Sequence, residues 1–136
     1  MLAPFECLCG NFILPEPASY VFFYAIFNLR NLLYIIPASR PVIAAKRDNM
    51  DEYDTIFVGF PIWWYIAPTI INTFLESYNL KGKTVITFAT SGGSGMGKTN
   101  EKLTPSCPGA KLLHGKVFNS YSSKADLSAW VETISL

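Results

Sequence analysis

The sequence predicts an α/β protein, a three-layer doubly wound parallel sheet, and three observations lead there. Three short runs, residues 55–60 (TIFVGF), 84–89 (TVITFA) and 112–118 (LLHGKVF), are each followed by a helical pattern. The first two are continuously apolar rather than alternating, as strands covered on both faces read. Half of the 136 residues are apolar and only 15% are charged, enough for a real core in one domain spanning residues 1–136.

The front of the chain is unusual. Residues 1–40 hold four charged side chains, Glu6, Glu16, Arg30 and Arg40, and Pro4, Pro15 and Pro17 break any early helix. Residues 20–26 (YVFFYAI) are continuous in apolar character, so periodicity does not separate a buried strand from a buried helix. Residues 32–36 (LLYII), ahead of Pro37, read as a short buried strand. Residues 18–38 form the one membrane suspect, but Asn28, Arg30 and Asn31 near their middle argue against a span. Residues 42–46 suggest a short helical turn, and Asn49 and Asp51 suggest turn or capping residues.

From Asn49 onward the elements are clearer. After the strand at 55–60, Pro68 suits the first turn of a helix, where its missing N–H costs nothing. Ile70, Ile71, Phe74, Leu75 and Tyr78 then form one apolar stripe. Residues 81–83 turn the chain into the strand at 84–89, which runs into the glycine-rich stretch 90–97. A weaker helix at 98–103 is stopped by Pro105 and Pro108. Gly115, inside the strand at 112–118, signals a bulge or a close approach. Ser123 and Asp126 have capping-box spacing, with Asp in place of Glu, ahead of the stripe Leu127, Trp130, Val131 and Ile134.

Composition removes several function classes. A net charge of +1 gives no electrostatic case for nucleic acid or an anionic membrane surface. The three cysteines, Cys7, Cys9 and Cys107, are odd in number and irregularly spaced, which argues against a disulfide framework and for a reducing cytoplasm. No basic segment opens the chain in the manner of a signal peptide. A CxC pair with one distant histidine is no zinc site, and His114 in a strand pattern reads as structural. No Ser/His/Asp or Cys/His arrangement is present, so no catalytic residue is assigned. Glu76, with Lys81 and Lys83 nearby, reads as part of a solvated face.

Two loops remain. In an open parallel sheet, ligands sit beyond the carboxyl ends of the strands. Pro61, Ile62, Trp63, Trp64, Tyr65 and Ala67 follow one strand; Thr90, Ser91, Gly92, Gly93, Ser94 and Gly95 follow the next. The first loop supplies aromatic faces, which either cap the core or hold a flat ring. The second supplies small residues whose backbone N–H groups can approach such a ring. Residues 92–99 (GGSGMGKT) also match the phosphate-binding pattern GxxxxGK[ST]. The chain lacks a later apolar strand ending in Asp to hold Mg²⁺, so that reading is set aside.

Residues 53–64 (YDTIFVGFPIWW), Ala67-Pro68, Phe74-Leu75-Glu76, Gly82-Lys83 and 90–95 (TSGGSG) together resemble the flavodoxin family, most closely its short-chain bacterial branch. The resemblance runs from about Asn49 to the C-terminus, and the combined spacing is more specific than any single motif. It implies a five-stranded parallel sheet of order 2-1-3-4-5 with FMN at the strand ends. It also implies that the twelve loop residues named above contact the ring, with Trp63, Trp64 or Tyr65 stacking on it or edging it. Aromatic, low-dielectric walls disfavour added negative charge on a reduced flavin, as suits electron transfer to a partner protein or a small quinone-like acceptor.

The family opens with an apolar strand and a Ser/Thr-x-Thr-Gly-x-Thr loop that cradles phosphate. Nothing in residues 1–40 matches that loop; Cys9-Gly10-Asn11 is the nearest fragment and lacks the hydroxyls. The first strand has to come from residues 12–14 or 20–26. Ring contacts are therefore carried over and phosphate contacts are not. Two other readings stay open: a flavin-dependent NAD(P)H:quinone or nitro-compound reductase, and a relative without FMN that works as a binding or oligomeric module. An aromatic front segment also makes a homodimer an expectation.

Overall fold

The computed structural model describes residues 20–24, 36, 38–43, 46–119 and 121–134. Among the described residues four strands form one parallel sheet: β1 (Tyr20–Tyr24), β2 (Thr55–Pro61), β3 (Thr84–Thr90) and β4 (Lys111–Phe118), in that spatial order. The helices are α1 (Thr69–Glu76), α2 (Thr99–Leu103) and α3 (Lys124–Glu132). Short 3₁₀ turns occupy Met50–Glu52 and Thr104–Ser106.

The parallel α/β class expected from the sequence is the class observed. β1 pairs with β2 from Tyr20 opposite Thr55 to Tyr24 opposite Gly59. Residues 20–24 of the 20–26 run are thus a strand, and it lies where the order 2-1-3-4-5 puts the first strand. Most of the expected strand at 32–36 lies outside the described residues; Ile36 itself is a bend. Cys7, Cys9, Cys9-Gly10-Asn11 and residues 12–14 also lie outside them. Residues 42, 43 and 46 are not helical, and residues 44 and 45, at the centre of the turn expected there, lie outside the described residues. Arg47 donates to Asn49 Oδ1 at 3.0 Å and to the Tyr53 hydroxyl at 2.9 Å, and its amide donates to the Tyr78 hydroxyl at 2.8 Å. No helix among the described residues is long and apolar enough to cross a membrane.

Alternation along the central strands builds two cores. Ile56, Val58, Phe60, Val85 and Ala89 pack with Ile71, Phe74, Leu75 and Leu103. Phe57, Ile86, Phe88 and Phe118 pack on the opposite face with Leu127 and Val131. Trp130 meets Phe118, Phe57 and Phe88 with ring centroids 5.3, 5.9 and 6.1 Å apart. Each fully buried phenylalanine contributes about 2–3 kcal/mol by leaving water.

Local details agree with the residues that make them. Helix α3 has the expected capping box: Ser123 Oγ accepts from the Asp126 amide, and Asp126 accepts from the Ser123 amide at 2.7 Å. Tyr78 lies beyond the end of α1, yet still packs on the first core. Gly115 faces the Thr87 carbonyl so closely that a β-carbon would stand 1.1 Å from its oxygen, beside the register shift between β3 and β4. There Thr87 Oγ1 donates to Asn100 Oδ1 at 2.8 Å, and Asn100 Nδ2 donates to the Leu113 carbonyl at 2.9 Å.

Glu76 lies on an exposed face, as expected, but Arg40 rather than a lysine pairs with it. Arg40 Nε donates to both of its carboxylate oxygens, at 3.0 and 2.8 Å, and Ser106 Oγ donates to Oε1 at 2.7 Å. Lys83 instead donates to the carbonyls of Tyr53 and Asp51.

Candidate functional site

Register sets the site. Pro61 lies level with Thr90, and Thr90 with Phe118, so β2, β3 and β4 deliver their following loops to one edge of the sheet. The Ile62 amide donates to the Thr90 carbonyl at 2.8 Å and continues the pairing one residue past β2.

The first loop is a two-residue hairpin. Trp63 and Ile66 form an antiparallel bridge, each amide donating to the other's carbonyl at 3.0 and 3.1 Å. Trp64 and Tyr65, at its tip, have φ of 51° and 68°. Two consecutive positive φ values are the mark of a type I′ turn, where asparagine and glycine are the usual occupants. A left-handed conformation costs about 1–2 kcal/mol per ordinary residue. The tip is nevertheless filled by two bulky aromatics, and they are exposed: Trp64 77% and Tyr65 70%. Backbone strain of this kind concentrates at ligand sites.

The loop therefore divides by role. Ile62 and Ala67 are buried in the first core and anchor the hairpin. Pro61 and Trp63 are half-buried beneath it. The exposure of Trp64 removes the reading in which it caps the core.

The second loop is organised by one hydroxyl. Ser91 Oγ accepts from the amides of Gly93 and Ser94 at 3.2 and 2.8 Å and lies 2.9 Å from Ser94 Oγ. Those two amides are consequently committed within the loop, which narrows the donor set expected from the sequence. Gly92, Gly93 and Gly95 are exposed, with open space where a β-carbon would stand. Their chain can therefore approach a flat ligand.

The two loops touch at Gly97, the last residue of the glycine-rich stretch 90–97. Gly97 has φ of 51°, and a β-carbon on it would stand 3.0 Å from the Tyr65 carbonyl oxygen. Its glycine is legible in the sequence, but its neighbour is not. Met96 packs on the first core beside it. Thr99 is fully buried in α2, and Lys98 is exposed.

Glu76 and Cys107, whose ionisation is shifted, both lie outside these two loops. Arg40, with help from Ser106, holds the Glu76 carboxyl below its ordinary range. Burial pushes the Cys107 thiol up, and Cys107 sits inside the first core. His114 is exposed on β4. The edge as built offers aromatic faces, backbone donors and close approach.

A protein from Bacteroides eggerthii, provisionally described as a flavoprotein, has a crystal structure similar to this chain: 42% identity, 74% of this chain and 63% of that one covered, TM-score 0.66. One from Bacteroides uniformis, described likewise, is 43% identical over 72% of this chain and 62% of that one, also with a TM-score of 0.66. The chain thus spans less than two-thirds of either protein's length. A flavoprotein in complex with FMN from Lactobacillus acidophilus is 21% identical with a TM-score of 0.45, too distant to add to the fold assignment. No curated protein matches the chain. The flavodoxin family profile matches residues 34–134, more than half of the 136, from just before Arg40 through α3. The chain belongs to the flavodoxin family.

Proposed function

We propose that this edge binds FMN by its isoalloxazine ring and that the protein works in electron transfer. The observation behind this reading is the hairpin: Trp64 and Tyr65 are held at positive φ and exposed, beside a loop of exposed glycines. Ordinary packing gives no reason to keep two large aromatics strained and wet, whereas a flat ligand covering them does.

Bound FMN supplies the redox chemistry, because its ring accepts and gives up electrons. The chain's own task is to bind, orient and shield. Trp64 and Tyr65 present faces for stacking, and Trp63 fixes the hairpin through its bridge to Ile66. Pro61, Ile62 and Ala67 set the height of that hairpin above β2. Thr90, Ser91, Gly92, Gly93, Ser94 and Gly95 form the opposing loop, where Ser91 holds the backbone in shape. No phosphate contact is assigned.

The test is a titration of the purified protein with FMN, read by the visible flavin band and by flavin fluorescence. Saturable binding with quenching by the stacked aromatics supports the reading. A colourless protein that takes up no added FMN overturns it. If flavin binds, rapid NAD(P)H oxidation with a quinone acceptor would replace the carrier role by a reductase role.

A further inference from the structure

The glycine loop is tied at both ends, and one of the ties is a buried side chain. At its start the Thr90 carbonyl accepts from the Ile62 amide at 2.8 Å. Just past its end stands Asn100, the second residue of α2, 6% exposed. Asn100 Oδ1 accepts from the Thr87 hydroxyl on β3 at 2.8 Å, and its Nδ2 donates to the Leu113 carbonyl on β4 at 2.9 Å. One helix side chain is thus bonded to two neighbouring strands. The bulge makes room for this. Ile86 is level with Leu113 and Phe88 with Lys116, so His114 and Gly115 together stand opposite Thr87. An extra residue of this kind breaks the ladder locally, and the Leu113 carbonyl beside it accepts from Asn100.

Packing alone does not set the depth of α2. Leu103 and, ahead of the helix, Met96 pack in the first core. Apolar contact is non-directional and tolerates sliding. A helix of five residues is too short to hold itself in place. A buried amide with partners on two strands, by contrast, has one position that meets both. Three residues before Asn100 is Gly97, which stands against the Tyr65 carbonyl. The Thr99 amide donates to the Met96 carbonyl at 3.0 Å and keeps that link tight. The depth of Asn100 therefore sets the spacing between the glycine loop and the aromatic hairpin.

We propose that Asn100, locked to Thr87 and Leu113, is the positioning residue that fixes the separation of the two ring-binding loops. It acts from behind the glycine loop, through Gly97 and Tyr65. This role rests on the flavin reading above, since the ring is what the two loops are spaced for.

The Thr87 hydroxyl separates positioning from stability. Thr87→Ser keeps the hydrogen bond and loses a buried methyl, so its urea midpoint should fall while its FMN affinity stays within about twofold of wild type. Thr87→Val keeps the volume and loses the hydroxyl, which leaves Asn100 Oδ1 unmet. Its FMN affinity should fall about tenfold, because the two loops lose their common reference. Asn100→Leu should lose at least as much. Asn72→Leu is the control. Asn72 is similarly buried and donates to Ser106 Oγ at 2.9 Å, beyond the far end of α2. Its midpoint should fall and its FMN affinity should not. Fluorescence titrations with FMN are run far below each midpoint, so that every variant is folded. If affinity simply follows the midpoint across these variants, Asn100 is a structural residue and the positioning role falls, with the flavin reading intact. A second arm needs no flavin and reads the amide resonances of the isotope-labelled, flavin-free protein. Thr87→Val should shift Gly97 and Tyr65, which lie on different loops, and Thr87→Ser should leave them in place. A wild type that takes up no FMN yet shows those shifts overturns the flavin reading and supports Asn100 as the residue that spaces the loops. Unmoved Gly97 and Tyr65 resonances in Thr87→Val overturn that role.

Discussion

Gly97 and Tyr65 belong to different loops, yet Gly97 lies so close to the Tyr65 carbonyl that a β-carbon would reach within 3.0 Å of its oxygen. Gly97 also has φ of 51°, a conformation that side chains resist. Gly97→Ala meets both penalties at once. It should lower stability by about 1–2 kcal/mol, seen as an earlier urea midpoint at unchanged slope. It should also weaken flavin binding, because the carbonyl that has to move belongs to the aromatic tip. A loss of stability with unchanged flavin affinity would mean that the two loops do not act together.

Gly115 sets a harder limit. A β-carbon there would coincide with the Thr87 carbonyl, at 1.1 Å, and the neighbour is backbone that cannot swing aside. Gly115→Ala should cost about 3 kcal/mol or more, because β3 and β4 have to separate to admit it. Circular dichroism and yield of folded protein would show it. A mild loss would mean that the register shift between Ile86 and Phe88 is easily redrawn.

These two glycines show what the residues disclose. Gly115 is readable because a glycine inside an otherwise good strand has few other uses, and its signal of close approach is met by a carbonyl. The parallel alternation is readable because β2 and β3 are short apolar runs followed by turn residues and helical stripes. The I′ geometry at Trp64 and Tyr65 is not readable, since the usual signal is Asn-Gly and tertiary context overrides the local preference here. The solvated face of Glu76 is readable, but its partner is not, because Arg40 reaches it from 36 residues away. Tyr20–Tyr24 is ambiguous by periodicity, and only its pairing with β2 makes it a strand.

Glu76 predicts a pH dependence. Arg40, aided by Ser106, lowers its folded-state pKa below the ordinary 4.5. A carboxyl with a depressed folded pKa stabilises the fold above its unfolded pKa, and that stability is lost as pH falls through the folded value. Stability should therefore be level near neutrality and fall below about pH 4.5, with Asp126, lowered by its cap to Ser123, acting in the same direction. Both members of the Arg40–Glu76 pair are 40% exposed, so the contribution is at most about 1 kcal/mol and screened by salt. Urea midpoints for wild type and Glu76→Gln, measured from pH 7 to pH 3, should converge at the acid end. Curves that stay parallel would rule out Glu76 as a source of the slope.

The hairpin tip yields a prediction in which stability and function move in opposite directions. Trp64 and Tyr65 occupy positions that asparagine and glycine adopt with little strain. Neither exposed side chain contributes much to the core, so replacing the pair by Asn-Gly removes strain and little packing. Trp64→Asn with Tyr65→Gly should raise stability by about 1–2 kcal/mol, seen as a higher midpoint of thermal unfolding. The same change removes the stacking faces and should weaken flavin binding by at least about 1–2 kcal/mol. A single Trp64→Ala keeps most of the strain and loses one face, so it should weaken the flavin by a similar amount without stabilising the fold. If the double variant is more stable and still binds flavin at full strength, the aromatic tip is not the ring's platform. If it is less stable, the aromatics pack on something that their exposure does not reveal, and the strain has a structural cause instead.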